Sequence, residues 1–185
     1  MGTRLLNLVL IGALAATSAW AVGVGEPVGN LTASDEQGRS HALSSHKGKT
    51  VVFVFWGSRC PNSEAYAQRL KQLAGSSGVV FYGVASNSGE AAAAVKAAKG
   101  KQGLPFPILL DPSKQLAKTL GAGVTPTACV VDGNGVLRYR GAIDDDPAGK
   151  RSQGVNHYLE DAIQAVKAGR APSTASTRAR GTRIQ

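Results

Sequence analysis

Val51-Val52-Phe53-Val54-Phe55-Trp56-Gly57-Ser58-Arg59-Cys60-Pro61 decides the fold of this chain. Six β-branched or aromatic residues in an unbroken run describe a strand covered on both faces, and so a central, parallel one. Gly57 and Ser58 end the run. From Pro61 the apolar positions Ala65, Leu70, Leu73 and Ala74 recur at helical spacing. Proline suits a first helical turn, where its missing N–H leaves nothing unsatisfied. The stretch therefore predicts a strand, a tight turn and a helix, with Cys60 at the helix N-terminus.

Downstream, Val79 to Ala85 predicts a second strand and the alanine-rich stretch Glu90 to Lys99 a second helix. Pro105 to Asp111 leads into a short helix near Ser113 to Leu120, which Gly121 and Gly123 terminate. Thr127 to Val131 predicts a strand, Asp132-Gly133-Asn134-Gly135 a turn, and Val136 to Arg140 an antiparallel return that closes the sheet. A last helix is expected from Gln153 to Ala168, with Val155, Leu159, Ile163 and Val166 on one face. The order βαβα followed by ββα, with a short helix inserted, predicts an α/β domain with a mixed central sheet flanked by helices.

At 185 residues and 43% hydrophobic composition the chain suits one domain between two tails. Residues 1–21 read as a signal peptide. A basic start at Arg4 precedes an apolar stretch from Leu5 to Trp20, and Ala19-Trp20-Ala21 offers a small-x-small cleavage site. That stretch falls short of the roughly 20 residues that span a bilayer. Contact with a membrane is thus expected only through an uncleaved signal segment, and the mature protein is expected to be periplasmic or secreted.

The domain is expected over 22–168, and 169–185 as a basic disordered tail. The net charge of +9 raises the question of a nucleic-acid partner. Much of the surplus, however, lies in Lys167, Arg170, Arg178, Arg180 and Arg183, in a Ser/Thr/Ala/Arg end without aromatic residues to stack on bases. No nucleic-acid partner is expected. A tail that docks on an anionic surface is a competing use for the charge.

Of the two cysteines, Cys129 sits in a strand of core character, Ala128 to Val131, and reads as packing. Cys60 carries the chemistry, because amide N–H groups and the helix dipole favour its thiolate. Arg59 is a candidate to add to that stabilisation, and Ser63, three residues on, to bring a hydroxyl near the sulfur. The alternative is that Cys60 is a small buried apolar residue. His41, His46 and His157 lack metal-ligand spacing, and Asp144-Asp145-Asp146-Pro147 reads as an exposed acidic turn. Thr125-Pro126 precedes a strand, at a place suited to a tight turn with a cis proline.

Gly48-Lys49 before the apolar strand, Trp56 through Cys60-Pro61, Thr125-Pro126 and Asp132-Gly133-Asn134-Gly135 together resemble the thioredoxin superfamily, in its redoxin branch. That branch includes alkyl hydroperoxide reductase and thiol-specific antioxidant proteins, together with exported thiol-disulfide oxidoreductases. The resemblance covers about Gly25 to Ala168 and implies a thioredoxin-like fold. It implies that Cys60 matches the reactive cysteine, and that Thr125 and Pro126 match the cis-proline loop facing it, which can bind a substrate backbone. Tyr139 to Asp145 resembles a segment of peroxiredoxin-like redoxins.

The departures are specific. A dithiol enzyme has its second cysteine where this chain has Ser63. A typical peroxiredoxin has a hydroxyl residue three before its cysteine and a proline seven before, where this chain has Gly57 and Phe53. Gly181-Thr182 stands where some relatives carry a late Gly-Cys pair. The expected function is therefore a one-cysteine thiol redox enzyme, without a cofactor, acting on a protein or small-molecule disulfide or on a peroxide, and resolved by an external thiol reductant. The competing reading is a binding module that kept the fold and lost turnover.

Overall fold

A computed structural model describes residues 21–75 and 79–185. The expected signal segment, apart from Ala21, lies outside the described residues. No helix among those described is long and apolar enough to cross a membrane.

The chain opens with two short strands, β1 (Thr32–Ser34) and β2 (Ser40–Ala42), paired antiparallel and followed by a 3-10 turn, Leu43–His46. No apolar pattern announces them: each is three residues long and mostly polar. They are held instead by Asp35, whose carboxylate accepts the amide N–H groups of Gln37 and Arg39 across the connecting turn.

Next come β3 (Thr50–Phe55), α1 (Pro61–Ala65), α2 (Ala67–Ala74), β4 (Val79–Ala85), α3 (Ala92–Gln102), β5 (Ile108–Leu110) and α4 (Gln115–Leu120). The chain continues through β6 (Val124–Thr125), β7 (Thr127–Val131), β8 (Leu137–Gly141), α5 (Tyr158–Lys167) and β9 (Thr182–Arg183). The main sheet has the order β5-β4-β3-β7-β8. β3 runs parallel to β4 and antiparallel to β7, so the sheet is mixed, as its α/β pattern predicts.

All six residues of β3 are buried. Val52, Val54 and Trp56 face Leu70 of α2, Val95 of α3 and Leu159 and Ile163 of α5. Val51, Phe53 and Phe55 face the other way, against Leu116 and Leu120 of α4 and Val28 and Leu31 of the N-terminal segment. A strand sandwiched this way must be apolar at every position, which is why its sequence shows no alternation. At the β7–β8 turn the Asp132 carboxylate accepts the N–H groups of Asn134 and Val136.

Several expectations need correction. The helix predicted from Pro61 is divided at Tyr66, whose ring is buried and whose hydroxyl donates to Asp144 at 2.7 Å. The last helix starts at Tyr158, five residues later than Gln153. The carboxylates of Asp146 and Asp145 take the amide N–H groups of Arg151 and Asn156, holding the intervening residues as a loop. The Asp144 to Pro147 segment is not an exposed turn: Asp144 and Asp146 are buried. Asp144 binds the Arg69 guanidinium, which also lies 4.0 Å over the Tyr66 ring.

The 169–185 tail is not disordered. Its Ala175 carbonyl accepts from the Arg140 amide and its Thr177 amide donates to the Arg140 carbonyl, extending the edge of β8. Its end, β9, pairs antiparallel with β6. Composition does not disclose this order, because the edges that receive the tail are supplied by the folded domain.

Candidate active site

Cys60 is placed by the end of β3. The Trp56 amide donates to Val84 of β4, fixing the last turn of the strand, and the Trp56 ring donates to Gln102 at 3.0 Å. The chain then folds back so that the Cys60 amide donates to Gly57 (3.1 Å) and the Cys60 carbonyl accepts from Glu64 (3.1 Å). Cys60 itself is extended and is the N-cap of α1, with Pro61 in the first turn, as the sequence predicts. Glu90 braces this loop from outside: its carboxylate takes the amide N–H of Ser58 at 2.6 Å and that of Asn87 at 3.1 Å.

Gly57 is required by close approach. A Cβ there would lie 2.9 Å from the Cys60 Cβ and 3.0 Å from the Asn87 side-chain Nδ2, so a hydroxyl side chain would force the Cys60 turn to shift.

The sulfur faces the Thr125-Pro126 peptide, which is cis. As a thiol it donates to the Thr125 carbonyl (3.5 Å) or to the Thr182 hydroxyl (3.4 Å). Burial, which leaves Cys60 only 6% exposed, works to raise its pKa. The hydroxyls of Thr125 and Thr182, with the hydroxyl and amide of Ser63, outweigh burial and bring the pKa down to about 7. Ser63 is suited to this, since its oxygen accepts the Gly57 N–H at 3.1 Å and its own proton remains free to give. At neutral pH roughly half of such a thiol is ionised.

The structure thus brings Cys60, Ser63, Thr125 and Pro126 together. Arg59 is different. It borders a recess that Cys60, Thr125 and Thr182 also line, but it is exposed and its guanidinium lies beside Gly89.

Thr182 is the functional neighbour that local reading does not place, although Gly181-Thr182 had a signal in the resemblance to a late Gly-Cys pair. A Cβ at Gly181 would collide with the Thr125 carbonyl, so glycine is what lets β9 come this close. The strand is further held by the Ile184 amide on Gly123 (3.0 Å) and by the Ser88 amide on Gln185 (2.6 Å).

Cys129 has no share in the site. It is fully buried on the α4 side of the sheet, and burial pushes its thiol up to about 12. Both cysteines are free. Among the described residues no three His, Cys, Asp or Glu side chains converge on a possible metal position.

The comparisons with known proteins agree with this architecture. The sequence model of the family described as Redoxin matches residues 22–157. Thiol-disulfide oxidoreductase ResA of Geobacillus thermodenitrificans is 34% identical over 125 residues, covering 66% of this chain and 71% of that protein. Among solved structures, a hypothetical protein of Sinorhizobium meliloti superposes with a TM-score of 0.79 at 26% identity, covering 89% of this chain and 94% of that one. A secreted Mycobacterium tuberculosis disulfide oxidoreductase, described as homologous to DsbE of E. coli, superposes with a TM-score of 0.52 at 26% identity, over 58% of this chain and 79% of its own.

Proposed function

Because the chain belongs to the redoxin family, we propose that it is an exported thiol-disulfide oxidoreductase in which Cys60 is the sole redox sulfur. The observation that carries the reading is the placement of the Cys60 sulfur at the head of α1, 3.5 Å from the carbonyl of Thr125 in the cis-proline loop and 3.4 Å from the Thr182 hydroxyl, where neighbouring hydroxyls bring its pKa down to about 7. A thiolate of that basicity is both abundant at neutral pH and nucleophilic. Export is supported by the signal-like residues 1–21 and by the secreted oxidoreductase among the structural neighbours.

In this mechanism the Cys60 thiolate attacks one sulfur of a substrate disulfide. A bond from Cys60 to that sulfur forms as the substrate S–S bond breaks, and the second substrate sulfur departs as a thiolate that takes a proton from water. Ser63 stands where a second cysteine would close a local disulfide, so an external thiol completes the cycle. Its thiolate attacks the substrate-derived sulfur of the mixed disulfide, returning Cys60 as thiolate and carrying that half away as a new disulfide. Thr125, Thr182 and Ser63 hold charge on Cys60 both before attack and on release. A peroxide substrate is less well served, because Gly57 puts no hydroxyl three residues before the sulfur and a side chain there would press on the Cys60 Cβ at 2.9 Å.

Whole-protein mass spectrometry after exposure to hydroxyethyl disulfide tests the proposal, together with turnover when an external thiol is supplied. Wild type gains one mercaptoethanol adduct, mapped to Cys60, and turns over; Cys60→Ser does neither. Turnover by Cys60→Ser at the wild-type rate would overturn the assignment.

A further inference from the structure

A second recess, of about 410 Å³, is bordered by Pro126 and does not include Cys60 in its lining. It rests on the function proposed above but has its own chemistry. Tyr66, Pro126, Ile143 and Tyr158 give it apolar and aromatic walls, and Arg178 and Arg180 line it from the tail.

The charges in it are unequally used. Asp144 receives the Tyr66 hydroxyl, the Arg69 guanidinium and the Asp146 amide. Asp145 receives the Arg151 guanidinium and both the amide and side-chain N–H of Asn156. Both acids at the recess are therefore satisfied by the protein's own donors. Among the described residues Arg178 and Arg180 make no side-chain hydrogen bond and no ion pair, so two exposed arginines border the recess with no protein acid to neutralise them.

The backbone that carries these arginines is held on both sides. Just before them, the Thr177 hydroxyl bonds the Tyr139 hydroxyl at 2.7 Å and accepts the Ala142 amide at 2.9 Å. Just after them, β9 pairs with β6. A segment held at both ends keeps the backbone of Arg178 and Arg180 beside the cis peptide that also faces Cys60.

We propose that this recess binds a carboxylate carried by the disulfide substrate, so that the enzyme prefers disulfides with acidic groups flanking the reactive sulfur. Two sources offer that chemistry: acidic residues next to a peptide cysteine, and a small dicarboxylate disulfide.

The test uses the full chain and three pairs of probes. One pair is a short cysteine peptide flanked by glutamates against its lysine-flanked counterpart, each activated as a 2-thiopyridine disulfide and followed by release of the neutral thione. The second pair is oxidised glutathione against cystamine. The third is the same peptides with serine for cysteine, fluorescently labelled, whose binding is read by anisotropy. At low salt the acidic probe of at least one reactive pair is expected to react about tenfold faster than the basic one. That ratio should fall toward unity in Arg178→Ala/Arg180→Ala and in high salt. Which pair shows the preference identifies the source.

Equal rates within both reactive pairs, or a preference unchanged in the double variant, would overturn the proposal. Should neither peptide form a mixed disulfide, the redox reading fails separately and the serine peptides decide this one: tighter binding of the acidic peptide, lost in the double variant, upholds it, and equal binding overturns it.

Discussion

The hydroxyl of Thr182 stands 3.4 Å from the sulfur of Cys60, although 122 residues separate them in the chain. The C-terminal strand is thus part of the site that ionises the thiol, and it also covers that thiol.

The first role is open to titration. The alkylation rate of Cys60 by iodoacetamide should rise with pH around a midpoint near 7, against about 8.5 for an unperturbed cysteine. Thr182→Val or Ser63→Ala removes a donor to the thiolate, so the folded pKa rises. A rise of one unit lowers the ionised fraction at pH 7 from about one half to about one tenth. Higher intrinsic nucleophilicity offsets part of this, leaving the rate about two- to fivefold lower. A midpoint that stays put in both variants would show that these hydroxyls do not hold the charge.

The covering role predicts the opposite change for a different reagent. Deleting residues 181–185 uncovers Cys60, a residue that is now only 6% exposed. At a pH where Cys60 is ionised in both proteins, a bulky maleimide should label the shortened chain about tenfold faster, by an opening argument. Equal labelling rates would mean that β9 already leaves the site freely.

Cys129 supplies an internal control. Its burial and its pKa near 12 predict no labelling of the native protein at pH 8, so the intact mass should show a single adduct. A second adduct without denaturant would contradict the burial described for β7.

A fourth prediction concerns stability. Arg69→Ala leaves the buried Asp144 carboxylate without its guanidinium and should destabilise by about 3 kcal/mol. Tyr66→Phe removes one hydrogen bond to the same carboxylate and should destabilise by about 1–2 kcal/mol. Urea midpoints measure both, and similar losses in the two variants would argue that the charge on Arg69 is immaterial.

Acid stability follows from the polar cluster around Tyr82, whose hydroxyl bonds His41 at 3.0 Å and His46 at 2.7 Å, while His41 donates to Asp35 at 2.8 Å. Burial, helped by the charges of Lys49 and His41, holds the His46 pKa below its ordinary value. The unfolded chain therefore takes up the proton first, and stability falls as pH drops below about 6.5, by at most about 1.4 kcal/mol per pH unit from this group. Burial acts to raise the Asp35 pKa, but His41 and the amides of Arg39 and Gln37 hold it below the usual carboxylate range, so a second loss begins near pH 4. His46→Gln should remove the first loss and leave the second; an unchanged profile between pH 7 and 5 would refute the assignment.

The features legible in the sequence are local ones. The apolar run of β3, the break at Gly57, Pro61 at the head of α1 and the Asp132 to Gly135 turn are set by neighbours in the chain, and each lies where periodicity and turn chemistry place it. Cys60 was legible for the same reason, since its position on a strand-to-helix turn is a property of about ten consecutive residues. Only the tertiary structure decided which hydroxyl meets the sulfur, that Asp144 is buried under Arg69 rather than exposed, and that the basic tail is ordered. Those outcomes depend on partners far away in the chain: β9 finds its hydrogen bonds on β6, and residues 175–177 find theirs on β8. A segment that borrows its order from edges built elsewhere carries no periodicity of its own, and its composition reads as solvated chain.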